Sequence, residues 1–200
     1  TLRGDGWELA VTTLDKALWP GEGAPGHTKR DLFVYATRIW PTIEQHVRDR
    51  PMTLLRFPNG IHDKKFYQKH WDGDLPPFVE TVTIYSDGEG GDQRFLLCNN
   101  LPSLLWLCQL ADIDWHAHLA RATSGEDADD APTTFTGSTE ALERSVLNYP
   151  DFILFDLDPY IYAGHEKRGD EPQPNEAAFA RTSDVALSLK EILDSLGLGS

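Results

Sequence analysis

The sequence contains no apolar run of about 18 residues, which removes a helix-spanning membrane protein from consideration. Its N-terminus carries no basic, apolar, small-residue leader, so the expected location is the cytoplasm. There is no internal repeat, so a solenoid or propeller is not expected. Cysteine is scarce. Cys98 and Cys108, the only 2 in 200 residues, have no metal-ligand spacing. Their apolar surroundings read as two buried thiols in a reducing compartment, although spacing alone leaves a bridge open. Positive charge is also short: 18 Lys and Arg stand against 32 Asp and Glu, a net charge of −14. A chain so acidic is not a general coat for nucleic acid, whose phosphates it repels overall.

The cations present are unevenly spread. Lys29, Arg30, Arg38, Arg48, Arg50, Arg56, Lys64, Lys65 and Lys69 fall within residues 27–69, while acids concentrate at Glu126–Asp130 and Glu166–Glu171. A local basic surface can therefore exist on an acidic protein, since exposed charges are screened beyond about 8–10 Å. With 6 Trp, 9 Phe and 6 Tyr and a 40% apolar share, the chain has material for a packed core.

Hydrophobic spacing outlines the elements. Trp7–Thr12 alternates like a short strand, and Leu14–Pro20 forms a compact segment closed by a Pro-Gly turn. Thr28 with Asp31 three residues on marks a helix start. Leu32, Tyr35, Ala36, Ile39, Trp40, Ile43 and Val47 continue at helical spacing, with Pro41 expected to kink or split the helix. Residues 51–97 read as β: a strand Thr53–Phe57, a Pro58-Asn59-Gly60 turn and a strand Lys65–Lys69. Strands Val79–Tyr85 and Arg94–Cys98 then pair across the Gly-rich Asp87–Asp92 turn. Asn100 and Pro102 open a second helix carrying Leu104, Leu105, Leu107, Cys108 and Ala111. Residues 123–140 read as a mobile surface loop. Phe152–Asp158 reads as a strand ending at Pro159, followed by an acidic loop to Asn175. A last helix carries Phe179, Val185, Leu189, Ile192, Leu193 and Leu196 and stops at Gly197. This order does not repeat βαβ, so the expected fold is α+β, a mixed or antiparallel sheet flanked by helices.

The strongest chemical signal is Phe155-Asp156-Leu157-Asp158-Pro159. On a strand, Asp156 and Asp158 point the same way while Phe155 and Leu157 face the core. Two such carboxylates repel, and a hard divalent cation relieves them; Mg²⁺ or Mn²⁺ held there can grip a triphosphate and activate a 3′-hydroxyl. The bland alternative is that the two acids only mark the solvent end of the strand before a proline turn.

Several segments resemble, in order, the polymerase domain of bacterial ligase-D-type repair enzymes, within the archaeo-eukaryotic primase superfamily. They are Thr13–Pro20, Thr28-Lys29-Arg30-Asp31, Arg56-Phe57-Pro58-Asn59-Gly60, Phe66-Tyr67-Gln68-Lys69, Leu101–Leu110, Trp115-His116 and Phe155–Pro159. Each is weak alone; together they span nearly all of residues 7–196. The resemblance implies a primase-polymerase-like fold, a 5′-phosphate- and DNA-binding portion over 7–98, and the start of a catalytic portion over 99–200. It implies template-directed nucleotidyl transfer at DNA gaps or breaks, with Mn²⁺ or Mg²⁺ and a nucleoside triphosphate. By position, Asp156 and Asp158 match metal ligands and His116 a histidine of the nucleotide site. Lys16 and Lys29, with Thr13 where the family often carries Asn, match a pocket for the downstream 5′-phosphate. Phe66 and Tyr67 match aromatics that stack on template bases, while Arg56 and Lys69 become backbone contacts. Strand alternation places only one of Phe66 and Tyr67 on the DNA face and sends the other into the core. A helix start would add backbone N–H donors beside Lys29.

The Tyr160-Ile161-Tyr162 insert resembles stand-alone members that partner a separate ATP-dependent DNA ligase, and an end-bridging protein is a further expected partner. In the family a third metal aspartate follows beyond the last helix, so these residues correspond to the front of such a domain. Two alternatives stay open on the residues alone: a gap- or end-binding module without turnover, and a metal-dependent phosphoesterase using the same Asp pair.

Overall fold

The computed structural model describes residues 1–21, 26–123, 131–159 and 175–198. It contains two compact units, Thr1–Ile153 and Leu154–Ser200.

In the first unit, strands β1 (Leu2–Gly4) and β2 (Trp7–Leu9) form an antiparallel hairpin, and β3 (Ala17–Trp19) pairs antiparallel with β4 (His27–Thr28). Helix α1 (Lys29–Val47) follows. The Thr28–Asp31 signal is a complete capping box: the Asp31 carboxylate accepts from Thr28 N at 2.7 Å, and Thr28 Oγ1 accepts from Asp31 N at 3.4 Å. The helix runs as one element through Pro41 and is not split there. Pro41 lies on the exposed side, where one missing backbone bond matters less than the inward packing of Leu32, Phe33, Ala36 and Val47.

Five strands form one antiparallel sheet: β5 (Met52–Arg56), β6 (Phe66–Gln68), β7 (Glu80–Ser86), β8 (Gly91–Leu97) and β9 (Asp112–Ala117). β5 is central, pairing with β9 over its length, with β6, and with β8 through Met52↔Leu96. β7 and β8 form the expected hairpin in register from Glu80↔Leu97 to Ser86↔Gly91. Helix α2 (Leu101–Gln109) is capped by Asn100, whose side chain accepts from Ser103 N at 2.9 Å. α1 and α2 pack together, and Leu32, Phe33, Met52, Leu54, Leu104 and Cys108 meet in the main core.

The loop expected over 123–140 is corrected in part. Residues 124–130 lie outside the described set, but Phe135 is buried and its carbonyl accepts from Tyr85 N at 2.7 Å. A short helix, α3 (Thr139–Glu143), begins where the loop was expected to end. Small polar composition misled here because a single aromatic supplies the anchor.

In the second unit, helix α4 (Glu176–Ser195) starts at Asn175, and Gly197, at φ 73°, ends it. Leu198 N closes the terminus on Leu193 O at 2.9 Å. Among the described residues, no helix is long and apolar enough to cross a membrane.

Candidate nucleic-acid interface and metal motif

The first cluster forms where the 13–16 turn meets the start of α1. Lys16 N donates to Thr13 O at 3.0 Å, tightening the turn, and the α1 N–H groups of Lys29 and Arg30 donate back to Lys16 O and Leu14 O at 2.9 and 2.8 Å. This corrects one expectation. With Asp31 N also bonded to Thr28 Oγ1, the first helical N–H groups are consumed by the protein and none is offered to an anion.

The lysine ammonium groups carry the positive charge instead. Lys29 is only 6% exposed. Its Nζ donates to Thr13 Oγ1 at 3.2 Å and to Gln109 O at 3.0 Å, which leaves one N–H without a protein partner among the described residues. Burial, and then the nearby charge of Lys16, hold Lys29 below its ordinary pKa. Lys16 Nζ donates to Asn59 Oδ1 at 2.8 Å. Thr13, Lys16 and Lys29 are thus brought together as the sequence suggests. Asn59 and Gln109 join them without having been singled out. Asn59 could have been found, since it tips the Pro-Asn-Gly turn, and Gly60 (φ 99°) lets that turn approach Leu18 O, where a Cβ would lie at 3.0 Å.

The second cluster is the sheet around β5. Directly paired residues share a face, so Arg56↔Phe66 places these two on one side, and Asp112, paired with Arg56 across the irregularity between Leu55 and Arg56, approaches it to 4.0 Å. Leu55↔Tyr67, Leu55↔Asp114 and Thr53↔His116 place Tyr67, Asp114 and His116 on the other. The side chains agree: the Tyr67 and His116 rings meet edge to face at 6.2 Å, and His116 Nε2 lies 3.5 Å from Asp114 Oδ1. His116 lines a cavity of about 710 Å³ with Thr53, Ile84, Phe95, His118 and Leu147. His118, which sequence reasoning passed over, accepts from Ala120 N through Nδ1 at 3.2 Å. Burial holds its pKa below the ordinary value, and Arg50 adds to that.

Phe66 and Tyr67 do fall on opposite faces, but neither enters the core; they are 48% and 59% exposed. β6 is a three-residue edge strand, and alternation there separates the two rings without burying either. Lys64 Nζ sits 5.4 Å from the Phe66 ring centre. Arg56 donates to Gln68 Oε1 at 3.2 Å and turns its Nε toward Asp112. Lys69 pairs with Glu89 at 3.6 Å on the surface. Arg50, counted among the basic residues, does not contribute to the surface. It is 2% exposed, donates to the carbonyls of His46, His118 and Leu119, and pairs with Asp151.

The metal motif differs most from expectation. Residues 152–158 form no hydrogen-bonded strand, and Phe152 through Phe155 are all exposed, so Phe155 does not face a core. The alternation that suggested a strand is local, whereas a strand needs a neighbouring edge, and no described strand pairs with this segment. Asp156 and Asp158 are exposed. They remain two oxygen donors of the kind a hard divalent ion takes, a partial set that phosphate oxygens and water would complete. Among the described residues, no group of three or more His, Cys, Asp or Glu could hold a metal. Cys98 and Cys108 are free and buried, and burial pushes the Cys98 thiol up to about 12. The expected acidic loop lies largely within 160–174, outside the described residues.

Known proteins resemble this chain in sequence and in fold. The family described as "LigD, primase-polymerase domain" matches residues 28–200. The multifunctional non-homologous end joining protein LigD of Mycolicibacterium smegmatis is 30% identical over 151 residues, 76% of this chain and 16% of that protein. The bifunctional non-homologous end joining protein LigD of Bacillus subtilis is 24% identical over 193 residues, 96% of this chain and 24% of that one. The chain therefore spans between 16% and 24% of these relatives' length. Among solved structures, the polymerase domain of Mycobacterium tuberculosis Ligase D in complex with DNA matches with a TM-score of 0.52 and 27% identity. That match covers 57% of this chain and 38% of the other. The α+β architecture and its antiparallel sheet agree with that neighbour, and the chain belongs to the LigD primase-polymerase domain family.

Proposed function

We propose that this chain engages the DNA strands for a template-directed nucleotidyltransferase that fills gaps or extends ends in DNA break repair. The observation that carries the reading is the lysine pair. A buried ammonium beside a second one is costly to hold, and a phosphate dianion is the partner that offsets it. In this reading Lys16 and Lys29, framed by Thr13 and Asn59, grip the 5′-phosphate on the far side of the gap. Tyr67 offers a stacking surface beside His116 and its cavity, where the incoming nucleoside triphosphate is received. Phe66, with Arg56 on the same face, meets the neighbouring strand. Asp156 and Asp158 would hold Mn²⁺ or Mg²⁺, which when bound neutralises charge developing on the triphosphate. The relatives are named for non-homologous end joining, which makes broken DNA the expected partner; a ligase and an end-bridging protein are partners implied by the family resemblance.

Binding to gapped duplexes with and without the 5′-phosphate tests the pocket. Lys16→Ala with Lys29→Ala should erase the preference for the phosphorylated gap, and its survival would remove the pocket from the reading. Primer extension by the full-length protein in Mn²⁺ or Mg²⁺ tests turnover: Asp156→Ala should abolish synthesis and leave gap binding nearly unchanged. A second reading, a gap-binding module without turnover, is favoured by one observation. Thr13, Lys16 and Lys29 lie together, while Asp156 and Asp158 stand in an exposed, unpaired segment. Absence of extension alongside intact 5′-phosphate preference would select it.

A further inference from the structure

β9 begins with a residue of the wrong character for its place. Asp112 has no exposed surface, and neither of its carboxylate oxygens has a hydrogen-bond partner among the described residues. Its one cationic neighbour among the described residues is Arg56, directly across the β5–β9 ladder at a bulge, with Nε 4.0 Å from Asp112 Oδ1. That is charge contact without a hydrogen bond, and Arg56 Nε is also buried without a partner. The other end of the guanidinium reaches Gln68 at 3.2 Å, on the face that carries the exposed Phe66 ring. Arg56 therefore spans from a sealed carboxyl to an open aromatic edge.

We propose that Asp112 is a positioning residue for DNA binding: a buried counter-ion that draws the Arg56 guanidinium inward when ionised and yields it to a DNA phosphate when protonated. The inference rests on the reading of Arg56 as a DNA contact. A buried carboxylate with no hydrogen-bond donor is unstable as an anion, and burial, opposed by Arg56, lifts Asp112 to about 7. Both states are then populated near neutrality. Facing Asp112 from α2 is Cys108, and beyond it Cys98; burial raises both thiols, which stay neutral over this range.

The linkage has a definite sign. A phosphate placed against Arg56 competes for the guanidinium and adds negative charge beside Asp112, so binding favours the protonated acid. The proton comes from solvent and converts carboxylate to carboxylic acid, with no other bond changed. Gapped DNA should therefore bind with proton uptake, and more weakly as pH rises through about 7.

Calorimetric titration with gapped duplex at pH 7, in buffers of different ionisation enthalpy, measures that uptake; anisotropy from pH 6 to 8 measures affinity. Histidines also lose charge over this range, so Asp112→Asn, which fixes the neutral state, is the reference. Wild type should lose up to about tenfold more affinity than Asp112→Asn across the range, the equivalent of about one pK unit of coupling. It should also take up a larger fraction of a proton. Equal uptake and parallel pH profiles in the two proteins overturn the proposal. If Asp112→Asn does not fold, Arg56→Gln carries the test. It should bind more weakly with the extra uptake gone, and undiminished uptake alongside weakened binding overturns the role of Asp112. If Arg56→Gln binds as tightly as wild type, the underlying reading of Arg56 as a DNA contact fails, and the inference with it.

Discussion

Replacing Lys29 with methionine should separate function from stability. The substitution keeps length and apolar bulk but removes the charge. Removing one partner of a close, desolvated charge pair costs about 2–5 kcal/mol. Lys16 stays in place to share the phosphate, so the lower end applies: about 2 kcal/mol, or about thirtyfold in the ratio of affinities for gaps with and without a 5′-phosphate. The fold should respond differently. The lost bonds to Thr13 Oγ1 and Gln109 O cost stability, while loss of a buried ammonium repelled by Lys16 restores it. These opposing effects should leave the change within about 1.5 kcal/mol in either direction. Because the folded-state pKa lies below the ordinary 10.5, the unfolded chain holds the Lys29 proton more tightly. Wild-type stability should therefore rise as pH climbs through that window, and Lys29→Met should lack the rise. Anisotropy on paired duplexes measures the ratio, and urea titration followed by tryptophan fluorescence measures the fold. A variant that unfolds by several kcal/mol yet keeps the 5′-phosphate preference would refute the reasoning, showing Lys29 to be a structural tie.

Thr13 sits at φ 52°, a left-handed conformation that a β-branched residue adopts at a cost and that asparagine tolerates. Thr13→Asn should raise stability by about 1 kcal/mol while its amide oxygen keeps an acceptor for Lys29, measured by urea midpoint and 5′-phosphate preference. Asp112 at about 7 when folded, against an ordinary 3.8, binds its proton more tightly in the native state, so its contribution to stability is lost as pH rises from about 4 to 8. Wild type should lose up to about 4 kcal/mol relative to Asp112→Asn over that range in paired urea titrations; parallel curves would place the carboxyl in contact with water. Arg50→Met should strand the carbonyls of His46, His118 and Leu119 and cost about 3–5 kcal/mol, read from the urea midpoint.

What the sequence made legible was local or carried by resemblance. The Thr28–Asp31 cap, the Asn100 cap, the Gly197 stop and the β7–β8 hairpin are each written within a few residues, and each stands where expected. Thr13, Lys16 and Lys29 were grouped by motif, and the structure joins them through the Lys16 O and Thr13 Oγ1 bonds. Strand β9 was missed, with Trp115-His116 noted only as a motif, although Asp112–Ala117 alternates polar and apolar residues as a strand does. Its pairing with β5, 56 positions earlier at Arg56↔Asp112, is set by the ladder and not by its own residues.

The same limit explains the least expected segment. Phe152–Phe155 has the composition of a buried strand, yet Leu154 is 74% exposed. Composition states only what a segment can do when offered an edge; whether one is offered depends on distant chain. Within the first unit, the run's near end is held by charge. Asp151 accepts from Arg121 Nε at 2.7 Å and pairs with buried Arg50, and the Phe152 ring lies 4.8 Å from that guanidinium. The arginine that fixes the carbonyls of His118 and Leu119 thus also holds Asp151, near the end of the first unit. Neither Arg50 nor Asp151 carries any sign of this in its neighbours along the chain, because 101 residues separate them. A buried arginine reads in sequence as one more surface cation, and only its partners reveal that it belongs to the interior of the first unit.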